Sequence, residues 1–214
     1  MLRSLQIQTS VCVGGLILAL SMFQSAEAQR RDLGGMRPGN VSPPRLLTVD
    51  VVQAELNLTE AQKSKAAVIN ETLTFGRHEL FAQVAKGTGK RAPRMAELEH
   101  QAQDSIEELL DDAQEKRLKE LLLQVNGASE LTKPEVRDAL GITKEQRKKL
   151  ADIRQVNAKA RHEALANFDG DRLAKSLELQ READAKLLDV LTDEQRQQFD
   201  AMQGEKITLD VFST

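Results

Sequence analysis

The stretch LTDEQ at residues 191–195 has two near-copies in the same chain, ITKEQ at 142–146 and LTEAQ at 58–62. A five-residue phrase used three times is either repeated chemistry or a repeated way of starting a helix. Thr-x-x-Gln has the form of a capping box. The Thr hydroxyl accepts from the N–H three residues on, and the Gln side chain reaches back to the N–H of the Thr. The pairs Thr59/Gln62, Thr143/Gln146 and Thr192/Gln195 all fit, and LDDAQ at 110–114 is a fourth copy in which Asp111 takes the place of Thr and Gln114 closes the box. Glu60, Asp112, Glu145, Asp193 and Glu194 lie between cap and Gln, where negative charge suits the positive end of a helix dipole. Each box contributes about 1 kcal/mol. Four helix starts, rather than four catalytic centres, are what the phrase predicts.

Working outward from these starts, apolar residues recur at three-to-four spacing, the period of a coiled-coil-like helical face. Ala66, Ile69, Leu73, Leu80 and Val84 form one stripe, interrupted near Gly76, and Gly87 and Gly89 follow it. Met95, Leu98, Ala102, Ile106 and Leu109 form the next, and Leu118, Leu121, Leu122 and Val125 a third that stops at Gly127. The second half repeats the pattern with Leu150, Ile153, Val156 and Ala160, a turn at Asp169–Gly170–Asp171, then Leu173, Leu177, Leu187 and Val190, and finally Phe199 and Met202. Residues 84 positions apart are identical at Val52/Val136, Leu56/Leu140, Thr59/Thr143, Gln62/Gln146, Lys65/Lys149, Ala67/Ala151 and Ile69/Ile153, and Arg77-His78-Glu79 returns as Arg161-His162-Glu163. Asn57 becomes Gly141, and both residues tolerate the left-handed conformation that ends a helix. Thr132, Pro134 and Glu135 read as the start signal of the short helix in the second half. The expected fold is all-α, with two tandem helical-hairpin repeats at residues 46–127 and 128–206 and a tail at 207–214.

Residues 1–28 read as a signal peptide. Arg3 precedes an apolar run at 11–23, and Ala26-Glu27-Ala28 is a small-x-small cleavage site. The run is too short to be a comfortable membrane span, so no stable span is expected after cleavage. Cys12 is the chain's sole cysteine and lies inside that run. The exported part therefore relies on a packed core rather than disulfides. Residues 29–45, QRRDLGGMRPGNVSPPR, are Gly/Pro-rich with little apolar content and are expected to be a disordered linker. The expected location is periplasmic or extracellular. A net charge of −3 and short basic clusters beside acids argue against nucleic acid as a partner.

Enzymatic chemistry finds little support. Position 82 is Ala, so HExxH is absent, and Gly87-Thr88-Gly89-Lys90 lacks the other positions of a phosphate loop. His78 and His162 with Glu79 and Glu163 are the candidate metal ligands if the halves face one another. Adjacent His and Glu on a helix point about 100° apart, so the four residues do not converge readily. No cofactor, no metal and no catalytic residue are expected.

Two L-T-x-x-Q motifs, Leu58-Thr59-Glu60-Ala61-Gln62 and Leu191-Thr192-Asp193-Glu194-Gln195, with Ile142–Gln146 as an Ile-led copy, flank long helical hairpins in a small chain with an export signal. In this the chain resembles the Spy/CpxP family of bacterial envelope proteins over most of residues 46–205. The segment at 121–150 also resembles secreted bacterial helical proteins that join two such units. The resemblance implies an ATP-independent chaperone or stress sensor that binds other proteins, built as a curved helical cradle and usually a homodimer. This chain differs in carrying a tandem pair of units. The alternatives are a scaffolding module with one fixed partner and a weak metal-binding envelope protein.

Overall fold

The computed structural model describes residues 40–85, 91–166 and 168–208. Among the described residues the regular elements are helical and no strand occurs, so the fold is all-α. The helices are α1 (Pro43–Leu46), α2 (Asp50–Glu55), α3 (Glu60–Ala85), α4 (Arg91–Glu107) and α5 (Asp112–Asn126). A 3-10 helix (Gly127–Thr132) follows, then α6 (Pro134–Ala139), α7 (Lys144–Ala166), α8 (Arg172–Leu188) and α9 (Asp193–Met202). Residues 1–28 of the expected signal, residues 29–39 of the expected linker, Gly87 and Gly89, and most of the tail lie outside the described residues.

The long helices pair as hairpins, α3 with α4 and α7 with α8. Along α3 the buried residues Ala66, Leu73 and Leu80 are seven apart, so one narrow seam faces the partner helix. Gly76 lies in that seam. A Cβ there would sit 2.8 Å from Leu98 Cδ2, so the break in the apolar stripe is filled by the Leu98 side chain of the partner helix. Leu80 is 3 % exposed and belongs to this core.

α5 joins the two halves. Leu118, Leu121, Leu122 and Leu123 are all buried, which requires packing around more than one face. Leu118 and Leu122 line the same space as Leu73, Ala102 and Ile106 of the first hairpin. Leu123 instead enters the core formed by Leu131, Val136, Leu140, Leu150, Leu187 and Phe199. The expected repeat boundary after residue 127 is therefore a boundary of chain pattern. It does not divide the core.

Three expectations change. Residues 40–45 are not a disordered linker: Val41 and Pro44 are buried, Pro43–Leu46 is helical, and α1 packs on α3, α4 and α5. The side chain of Asn126 satisfies the Val41 backbone, its Oδ1 accepting from the Val41 N–H at 2.7 Å and its Nδ2 donating to the Val41 carbonyl at 2.9 Å. Thr132 does not cap the short helix of the second half. It closes the 3-10 helix, donating to the Ser129 carbonyl at 2.9 Å, and Lys133 is the N-cap with Pro134 in the first turn. The tail is held as far as Ile207, whose N–H donates to Gln124 Oε1 at 3.2 Å, while Gln124 Nε2 donates to the carbonyls of Gln203 and Glu205.

Candidate functional site

The four boxes form. Gln62, Gln114, Gln146 and Gln195 each accept from the N-cap N–H with Oε1 and donate their own backbone N–H to Thr59, Asp111, Thr143 and Thr192 respectively. Asn57 and Gly141, with φ of +50° and +60°, make the left-handed turns just before two of them.

The boxes also meet in pairs, which the sequence reading missed. Gln62 Nε2 donates to Gln114 Oε1 at 2.8 Å and to the Leu109 carbonyl at 3.0 Å, while Gln114 Nε2 donates to the Leu56 carbonyl at 3.1 Å. In the second half Gln146 Nε2 donates to Gln195 Oε1 at 2.6 Å and to the Val190 carbonyl at 3.0 Å, and Gln195 Nε2 donates to the Leu140 carbonyl at 3.1 Å. Each pair ties the end of a short helix to the start of a distant one. A signal for this was present. Glu closes a capping box as well as Gln does, but a carboxylate has no N–H to give. All four closing positions are Gln, because the amide is used at both ends. The glutamines act as structural clamps.

His78, Glu79, His162 and Glu163 are all exposed. Among the described residues no group of three or more His, Cys, Asp or Glu side chains is placed to hold a metal ion, and no helix is long and apolar enough to cross a membrane.

Two surface features remain. On the outer side of α3, Val68 is 60 % and Phe75 68 % exposed, and Phe81 of the same helix is also exposed. Val68 and Ile69 border a shallow depression of about 400 Å³ shared with Ser105 and Leu109. The second feature is a groove of about 610 Å³, walled by Asn40–Pro44 and floored by Leu73, Ala102, Ile106, Leu118 and Leu122. Its rim carries paired charges: Arg77 with Glu99 at 2.9 Å, Lys133 with Glu130 at 2.8 Å, and Lys119 with Glu115.

At the joint between the halves, the Asp184 carboxyl is pushed up to about 6, because burial disfavours its charge more than the hydrogen bond from Gln180 favours it. Its Oδ2 lies 3.3 Å from the position a Cβ on Gly127 would occupy, and Gly127 has φ +54°.

No protein-family model, no curated protein and no solved structure matches this chain.

Proposed function

We propose that the chain is an exported, non-enzymatic protein-binding protein that holds unfolded polypeptides without ATP. The observation that carries the reading is the outer face of α3. The chain has six Phe and neither Trp nor Tyr, yet Phe75 is spent on the surface, with Val68 seven residues before it on the same face. Large apolar side chains grouped on a surface mark interaction sites, and non-directional apolar contact accepts many sequences. The resemblance to the Spy/CpxP family supports the same reading, as does the export signal.

Leu80 is not part of this surface, so a charge placed there tests folding. The test of binding is the pair Val68→Asp and Phe75→Glu. The processed chain is expected to slow the aggregation of several unrelated unfolded proteins at stoichiometric ratio. The double variant is expected to lose most of that effect while keeping its circular dichroism and melting temperature. Protection of one client alone would favour a scaffold with a fixed partner, and protection of none would end the chaperone reading.

A further inference from the structure

We propose that Asn126–Gly127 is a self-modification site that the folded chain keeps closed, and that its deamidation shuts an opened molecule out of the native fold. Asn–Gly is the dipeptide in which a side-chain amide is most open to attack by the next backbone nitrogen, because glycine puts no side chain in the way. The pair occurs once in the chain, at the joint between α5 and the 3-10 helix. In the reaction the Gly127 nitrogen gives up its proton and bonds to Asn126 Cγ, ammonia leaves, and a cyclic imide results. Water then opens the ring to aspartate or isoaspartate. The sequence of steps needs water alone as co-reactant and transfers no electrons.

The fold requires both members of the pair. Gly127 has φ +54°, and a Cβ there would lie 3.3 Å from Asp184 Oδ2, so any other residue meets backbone strain and a carboxylate at once. Asn126 is 3 % exposed, and its amide accepts from the Val41 N–H and donates to the Val41 carbonyl and to Glu130 Oε1 at 2.8 Å. The same contacts hold the reaction off. The amide is pinned between Val41 and Glu130, and the Gly127 N–H is donated to the Leu123 carbonyl. Asn126 also keeps a helical ψ of −14°, and ring closure needs a large rotation about that bond. Attack therefore waits for an opening of the joint. The product does not fit the place it left. An aspartate at 126 has no N–H to give, so its oxygen faces the Val41 carbonyl and the Glu130 carboxylate, which is 5 % exposed and paired with Lys133. Two carboxylates in one buried site repel. Isoaspartate lengthens the main chain by a methylene and displaces the glycine turn. Either product gives up the hold on the Val41 backbone.

The test is to age the processed chain at mildly alkaline pH, once in native buffer and once in denaturing urea, beside a capped peptide of residues 124–131, QVNGASEL. Tryptic mass spectrometry of residues 120–133 reads the conversion of amide to acid. The unfolded chain is expected to deamidate at the rate of the peptide. The folded chain is expected to be slower by about a thousandfold, the factor set by a minor open population. On removal of urea, the unmodified fraction is expected to recover its melting temperature and slow hydrogen exchange at the Val41 amide. The fraction modified at Asn126 is expected to melt several degrees lower and to exchange that amide quickly. A folded-state rate close to that of the peptide would show that the fold gives no protection. Modified chains that regain the original melting temperature and Val41 protection would show that the change locks nothing out. Either result overturns the proposal, and neither depends on a variant that must fold. Asn126→Asp, made directly, is expected to reproduce the low melting temperature of the aged fraction, and an unchanged one would count against the proposal in the same way.

Discussion

The two hairpins share their clamps and differ in their seams. In α3/α4 the seam holds Leu73 and Leu80, both buried, and closes on Gly76. At the matching positions α7 carries Asn157, Ala164 and Ala160. Among the described residues the Asn157 Nδ2 has no hydrogen-bond partner although it is buried, and Arg161 reaches across to Ser176 Oγ at 2.6 Å. Among the described residues Leu150 is the one that α7 buries, against three on α3. The frame of paired glutamines therefore sets where the helices start and meet. The seam sets how firmly each hairpin holds, and a seam can be weakened without losing the frame. The outer faces differ in the opposite sense. α3 exposes Val68 and Phe75, where α7 has Asp152 and Lys159. α7 exposes Val156, but the pair of large apolar side chains seven residues apart is on the firmer hairpin.

Exchanging the seam residues should give the largest effect. Leu73→Asn removes a buried aliphatic side chain and buries an amide in its place, and should cost about 4 kcal/mol. Asn157→Leu should raise stability by about 1 kcal/mol, because it removes an unpaired polar group. Denaturant midpoints of both variants check the pair, and equal and small shifts would mean that the seams are equivalent after all.

The clamps come next. Gln146→Glu keeps the box but sets a carboxylate oxygen against the Val190 carbonyl and Gln195 Oε1, and should cost about 2 kcal/mol at pH 7. Part of this should return on acidification, when the neutral carboxyl regains an O–H to donate. Thr143→Ala, which loses only the cap, should cost about 1 kcal/mol. A Gln146→Glu variant no worse than Thr143→Ala would show that the cross-links between boxes add nothing to capping.

The smallest effect is expected at the joint. The Asp184 carboxyl titrates near 6 in the folded chain and lower when unfolded, so the folded state holds the extra proton between the two values. Stability from this group is therefore present at low pH and is lost as pH rises through about 6. Asp184→Asn should raise stability at pH 7 by about 1 kcal/mol after allowing for solvent screening, and should flatten the slope between pH 4 and 7. Thermal melts across that range check the sign.

Local chemistry made much of the fold legible in the sequence. Capping boxes, the left-handed stops at Asn57 and Gly141 and the three-to-four stripes are short-range patterns, so they name helix starts, stops and buried faces without any tertiary information. Leu73, Leu80 and Phe199 were readable as core for that reason. What only the tertiary structure decided depended on groups far apart in the chain. The second use of each glutamine needs a carbonyl 44 to 58 residues away. The ordering of Val41–Arg45 needs Asn126, 85 residues on. That stretch reads as linker because proline and glycine signal a lack of local hydrogen bonds, and a buried amide from another element supplies them. Likewise Leu150 and Val156 share one apolar stripe of α7, and only the placement of the neighbouring helices leaves Val156 65 % exposed while Leu150 is buried.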